Sequence, residues 1–237
     1  MDQPKWETVH EQDRSWRTKL IGGLSLHYAV PRYVEFFETY FRKPGKYTFL
    51  ELGSGTGEVA CAIQKKSYDF IQRYVVSENF PQGVAWLQKQ NLEAVLADAE
   101  NVPFENQSFD AVLCFDVMHH VRNPRRMALE MLRMARGRVF LIESNGLSLG
   151  RKLMELTPGH RRAGEQSYTP WQYRSFFNQP GYRITRWETH PFMMPLRAPA
   201  FLLDWEVRLN RWIEHVPFLN WQCSNVAIYL EYERDAA

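Results

Sequence analysis

The sequence predicts an α/β domain built on a parallel sheet, and three observations carry that prediction. Residues 46–145 alternate apolar, strand-like runs with helical patterns, the signature of right-handed crossovers between parallel strands. One run, Phe49–Leu50–Glu51–Leu52, leads into glycines at alternate positions, Gly53, Gly55 and Gly57, before a helix opens at Glu58–Val59–Ala60. Later runs carry carboxylates at their ends: Tyr74–Val75–Val76–Ser77–Glu78–Asn79, Ala94–Val95–Leu96–Ala97–Asp98–Ala99–Glu100 and Ser108–Phe109–Asp110–Ala111–Val112–Leu113–Cys114–Phe115–Asp116. Ligands of such sheets bind outside the carboxyl ends of the strands, so all three observations point to one edge of one sheet.

The glycine turn carries the most chemistry. Glycine lets the backbone turn sharply and approach a ligand that a Cβ would hold away, and the following helix aims unpaired N–H groups at the same place. A dinucleotide fingerprint needs G-x-G-x-x-G, and Glu58 stands where its third glycine should be, which disfavours a nicotinamide oxidoreductase. The written pattern is E-x-G-x-G-x-G. Glu78, at the end of the second strand, is placed to accept ribose hydroxyls, and Asp98, at the end of the third, to bind an adenine amino group, with Glu100 as its alternative.

With L-E-x-G-x-G-x-G followed by D-A-E-x-x-P-F-x-x-x-S-F-D across residues 98–110, the chain resembles the class I S-adenosylmethionine (SAM) methyltransferases of the broad small-molecule group. The resemblance covers roughly residues 45–190. It implies a Rossmann-like, doubly wound seven-stranded sheet in the order 3-2-1-4-5-7-6 with the last strand antiparallel. It also implies a cofactor site made by Glu51, Gly53, Ser54, Gly55, Gly57, Glu78, Asn79, Asp98, Ala99, Phe115 and Asp116. SAM would be the cofactor and S-adenosyl-L-homocysteine the product, with no metal. By the same resemblance Glu51 lies near the methionine portion, and Asp116 either lies near it too or caps the next helix.

Ahead of the first strand, His10–Gly22 reads as a helix stopped by Gly22–Gly23, and Pro31–Arg42 as a second with Tyr33, Val34, Phe36, Phe37, Tyr40 and Phe41 at helical steps. In the family, residues 1–44 form a helical lid, where His27, Tyr28 and Arg32 either face the ligand or pack the lid on the sheet. His119–His120, after the fourth strand, are the candidate catalytic residues, because imidazole can take a proton from a hydroxyl or amine that attacks a methyl group. His120 also suits a role in orienting the turn, and two adjacent histidines point apart, which argues against a metal.

Beyond the fifth strand, Val139–Asn145, lies a basic cluster with Arg151, Lys152, His160, Arg161 and Arg162, either solvated or holding an anionic group on the substrate. Thr169 caps and Pro170 opens a further helix, and Tyr168 and Trp171 beside it are expected, with Tyr28 and Arg162, to line the acceptor pocket. A core of residues 45–190 then gives way to a helical insertion, 191–221, and a last strand within 222–237. Ala198–His215 reads as a helix with Phe201, Leu202, Trp205, Leu209, Trp212 and Ile213 on one face, which suits a packed substrate lid better than a membrane-interface helix, since its polar face mixes acids with bases.

Bulk properties set the remaining bounds. The 237 residues, with a net charge of +2, fit one domain with no global drive toward nucleic acid. Cys61, Cys114 and Cys223 stand far apart in apolar surroundings and suit reduced thiols. No secretory leader or membrane span is legible, so a cytoplasmic monomer or homodimer is expected, with peripheral membrane contact left open. The expected function is methyl transfer to O, N or C of a small, partly apolar or aromatic acceptor, such as a natural-product, quinone-like or lipid-linked compound. The alternatives are an RNA-modifying methyltransferase and a non-catalytic SAM-binding partner protein.

Overall fold

Runs of Val, Leu, Ile and Phe without polar alternation suit strands covered on both faces, and the computed structural model folds them that way. It describes residues 16–156, 166–193 and 200–235, the side chains of 16–28, Met154 and 200–204 excepted. Strands β1 (Tyr47–Leu52), β2 (Ile71–Glu78), β3 (Glu93–Leu96), β4 (Ala111–Phe115), β5 (Arg138–Ser144), β6 (Tyr182–Phe192) and β7 (Asn225–Arg234) form one sheet, ordered β3-β2-β1-β4-β5-β7-β6. The first five pair in parallel, and β7 runs antiparallel to both β5 and β6. Strand order therefore reverses between β1 and β4, which opens a crevice at their carboxyl ends.

Successive strand residues point to opposite faces, so each face collects its own core. On one face Phe49, Val76 and Phe140 meet α1 (Trp16–Phe41), α2 (Glu58–Lys65) and α3 (Pro81–Lys89) through Phe37, Ile63 and Leu87. On the other, Leu50, Val112, Leu141 and Ile228 meet α4 (Pro124–Met134) and α6 (Pro170–Phe177) through Met131, Leu132, Tyr173 and Phe177. Helix α6 opens as its sequence dictates: Thr169 and Gln172 form a reciprocal capping box and Pro170 takes the first position.

The N-terminal region departs from expectation. Instead of two helices broken at Gly22–Gly23, α1 runs unbroken from Trp16 to Phe41 with Pro31 inside it. An internal proline costs about 3 kcal/mol and each glycine about 1 kcal/mol. The aromatic face of the helix offsets those costs: Phe37 packs 5.2 Å from both Phe41 and Phe49, and Tyr40 stacks on Tyr229 at 4.3 Å. Full burial of each such ring contributes about 1.5–3 kcal/mol.

Two further elements follow β5: α5 (Leu149–Glu155) and, after β6, α7 (Ala200–His215), which leads to a single 3₁₀ turn at Leu219–Gln222. Helix α7 is rotated from the orientation its apolar pattern suggested: Leu209 and Ile213 are half-buried, but the tryptophans of the same face are not. Trp205 and Trp212 are 64% and 59% exposed, whereas Asn210 is only 6% exposed. The rotation is set by ions: Arg32 of α1 donates to Glu214 at 2.6 Å, and Arg211 pairs with Glu35 at 3.1 Å. Glu214 also accepts the Met193 N–H at 3.2 Å, so its carboxylate must face inward. Arg32, expected to face a ligand or to pack the lid, thus joins the two lids to each other while its guanidinium covers the Phe36 ring at 4.8 Å.

Candidate active site

The three glycines of the first turn differ in what they do. All adopt left-handed backbone, with φ of 65° at Gly53, 54° at Gly55 and 83° at Gly57. A Cβ on Gly53 would fall 2.8 Å from the Val117 methyls, and one on Gly57 would fall 2.7 Å from Leu87, so these two satisfy packing. A Cβ on Gly55 would meet nothing within 4 Å: it faces the open crevice. Glu78 ties the turn to β2, its carboxylate accepting the Gly55 N–H at 2.9 Å and the Asn79 N–H at 2.8 Å. The Ser54 N–H adds a bond to the Ser77 carbonyl at 2.9 Å. Ser54 Oγ is buried in this turn, against the Glu51 carboxyl.

Glu51 lies buried beneath the turn, where Tyr74 donates a short hydrogen bond to its carboxylate. Burial dominates that bond and pushes the Glu51 carboxyl up to about 7. Beyond β3, Asp98 is exposed and accepts the Glu100 N–H at 2.8 Å, with Ala99 half-buried beside it. Glu100 is not its alternative. The Glu100 carboxylate receives the N–H groups of Arg122 and Asn123 at 2.8 and 3.1 Å, and so is committed to the start of α4.

Across the crevice, at the ends of β4, β5 and β7, a second set of polar groups converges. Asp116 has φ of 56°, a left-handed conformation that a non-glycine residue holds only when its surroundings enforce it. Here Tyr33 of α1 donates a short hydrogen bond to one carboxylate oxygen, and Asn225 Nδ2 lies 3.5 Å from the other. Phe115 stacks on the Tyr33 ring at 5.7 Å. Burial raises the Asp116 carboxyl above its usual range, opposed by the charge of His119 and the Tyr33 bond.

His119 is buried, and its Nδ1 lies 2.8 Å from the carboxylate of Glu143, itself wholly buried at the end of β5. The other Glu143 oxygen accepts the Val117 and Met118 N–H groups at 3.0 and 2.6 Å, which fixes the loop carrying the histidine. Burial lowers the His119 pKa, but the Glu143 hydrogen bond and charge, with Asp116, outweigh it and hold the imidazole above its usual range. His120 is exposed, its ring 4.0 Å from that of His119. The adjacent pair therefore divides, with His119 on the crevice side of the sheet edge and His120 outside.

The expected substrate residues are more scattered. Tyr168 packs on α6, 5.0 Å from Phe176, and its backbone bridges to Asn145. Trp171 is 64% exposed at the start of α6. The Tyr28 side chain and Arg162 lie outside the described residues. Of the basic cluster, Lys152 pairs with Glu155 at 3.0 Å, and the positive charge of Arg151 reaches Tyr33, Asp116 and His119. Among the described residues, no group of three or more His, Cys, Asp or Glu side chains is placed to hold a metal, and no helix is long and apolar enough to cross a membrane.

Sequence reasoning missed Glu143, Tyr33 and Asn225. Glu143 carried a signal, since it ends the apolar run Val139–Ile142 just as Glu78 ends Tyr74–Ser77. Tyr33 and Asn225 carried none, because each acts through a partner remote in the chain.

Comparison with known proteins bears on the fold and its class. Residues 50–142 match the family model of a methyltransferase domain. A demethylmenaquinone methyltransferase of Clavibacter sepedonicus is 31% identical over 102 residues, 40% of either chain. The uncharacterised methyltransferase YcgJ of Bacillus subtilis is 26% identical over 155 residues, 60% of either chain. The similarity thus spans only 40% and 60% of the lengths of these two curated relatives. A SAM-dependent methyltransferase from Thermotoga maritima shares the fold with a TM-score of 0.67 at 15% identity, over 95% of this chain and 96% of that one. The methyltransferase-domain match thus covers residues 50–142, less than half of the 237, and the solved structure shows that the chain has the fold of a SAM-dependent methyltransferase.

Proposed function

We propose that the chain transfers a methyl group from SAM to a small, partly apolar or aromatic acceptor whose attacking atom arrives protonated. The observation that carries this reading is the pairing of two half-sites across one crevice: the open Gly55 turn braced by Glu78, and the buried Glu143–His119 pair beside Asp116. The cofactor side fits an adenosyl amino acid. Gly55 leaves the space that a Cβ would fill, Glu78 stands at the ribose position, and Glu51 suits the amino-acid end. When bound, SAM supplies an electrophilic methyl group and leaves as S-adenosylhomocysteine.

The residues of the chain do the rest. Glu143 takes the proton side of His119 Nδ1, which leaves Nε2 as the basic atom and orients it. His119 then accepts the proton of the acceptor hydroxyl or amine. Tyr33 and Asn225 hold Asp116, whose carboxylate favours the resulting imidazolium. Helices α1 and α7, joined by Arg32–Glu214, keep water from the site. A quinone-like acceptor is supported by the demethylmenaquinone methyltransferase similarity and by the stacked rings of Tyr33 and Phe115 beside Asp116.

The test is titration calorimetry with SAM, followed by an acceptor screen read by S-adenosylhomocysteine release. The Glu51 carboxyl, pushed up to about 7 from the ordinary 4.5, adds a specific signature. Its stability contribution is fully present at low pH and is lost as pH rises through that value. An incoming ammonium group favours the carboxylate, so binding below neutrality should release about one proton at most, and the release should fade at higher pH. Calorimetry in buffers of different ionisation enthalpy measures it. Glu51→Gln should abolish the release; a variant that still releases the proton would move the titrating group elsewhere.

A further inference from the structure

Helix α7 is built inside out for a helix in water. Its buried face carries Asn210 and Glu214, with Glu206 Oε2 also out of solvent, while Trp205 and Trp212 stand exposed one above the other. A helix facing only solvent would reverse this arrangement. The exposure does not stop at α7. Phe218 and Trp221, with rings 5.7 Å apart, stand exposed on the 3₁₀ turn, and Gln222 of that turn accepts the Leu149 N–H at 3.0 Å, which brings α5 alongside. There Leu149 and Leu153, one helical turn apart, are exposed as well. Scattered exposed apolar residues are ordinary, but a set spread over three adjoining elements marks an interaction surface.

Charge selects the occupant. Of the described acids on α7, Glu206 and Glu214 turn inward, and the outward positions between and beside the tryptophans are Arg208, Arg211 and His215, with Arg211 shared with Glu35. A two-fold contact between copies would set this face against itself, arginine toward arginine, with no acid on the described outward face of α7 to receive it. We propose that this rim docks the enzyme on an anionic lipid bilayer. The indoles sit at headgroup level, the leucines and Phe218 enter the acyl boundary, and Arg208 faces lipid phosphates. The rim also borders the crevice: Asn225, which holds Asp116, begins β7 just after the 3₁₀ turn, and Asn145 at the end of β5 donates to the Trp221 carbonyl at 3.1 Å. An apolar acceptor dissolved in the bilayer would reach the site without crossing water, a link that rests on the acceptor reading above.

The experiment is co-sedimentation of the full chain with phosphatidylcholine vesicles, with and without phosphatidylglycerol, at low and high salt. Binding is expected only to the anionic vesicles and should weaken with salt. Arg208→Glu should weaken it roughly 25-fold, two units of charge at about five-fold each. Trp205→Ser combined with Trp212→Ser should weaken it by an order of magnitude or more. SAM affinity of the same variants, unchanged by calorimetry, shows that their fold is intact. Absence of vesicle binding, or binding equal in the variants, overturns the proposal. So does a dimer in sedimentation velocity that the tryptophan variants dissociate, since the face would then join two copies. Vesicle binding without turnover of any apolar acceptor supports the docking surface while removing the acceptor reading.

Discussion

Gly55→Val should fold, with a melting temperature only modestly lowered, and should bind SAM at least about 100-fold more weakly than the wild type. The two halves of that expectation come from different facts. Left-handed backbone at φ of 54° costs a side chain about 1–2 kcal/mol, but a Cβ at this position meets no atom within 4 Å, so no packing is lost. What the side chain fills is the crevice itself, where the adenosyl group needs close backbone approach. Gly53→Ala gives the contrasting result: its Cβ would lie 2.8 Å from Val117, so stability should fall first and binding only in consequence. Glu78→Ala removes the acceptor for both Gly55 and Asn79 N–H groups and should also abolish measurable binding. Calorimetry beside thermal denaturation separates the cases. A folded Gly55→Val protein with wild-type affinity would place the cofactor somewhere other than this turn.

The sheet and the glycine turn braced by Glu78 were legible because local pattern and global topology agree there. Apolar runs, alternate glycines and strand-end carboxylates are written within short windows, and each survives translation into the fold. The N-terminal helix was misread because Gly22–Gly23 and Pro31 are local stop signals, whereas the aromatic packing of Phe37, Tyr40 and Phe41 on β1, β5 and β7 that overrides them is made across the whole sheet. The orientation of α7 was misread for a related reason. Hydrophobic periodicity assigns the apolar face to the interior, but the rotation of the helix is set by Arg32–Glu214 and Arg211–Glu35, pairs separated by more than a hundred residues. The polar cluster of Asp116, His119 and Glu143 was legible only in part. His119 stood out by its chemistry, but which of two adjacent histidines turns inward depends on Glu143, and that pairing exists only once β4 and β5 lie side by side.

That pairing gives the second large effect. With His119 as the proton acceptor, the methyl-transfer rate should rise with pH through a midpoint above the ordinary 6.5 of histidine, because the imidazole must lose its proton to work. Glu143→Gln keeps an oxygen for the Val117 and Met118 N–H groups but removes the charge that raises the His119 pKa. Burial then dominates, so the midpoint should move to lower pH. The plateau rate should meanwhile fall roughly 10²–10³-fold as the ring loses its fixed orientation. His119→Ala should cost a similar factor and abolish the pH limb altogether. The direction of the midpoint shift is what separates positioning from mere support. A Glu143 that only braces the loop would, when replaced, lower melting temperature and rate together and leave the midpoint where it was. A wild-type profile flat across this range would mean that the acceptor arrives already ionised, and His119 would then be a structural residue of the β4–α4 loop.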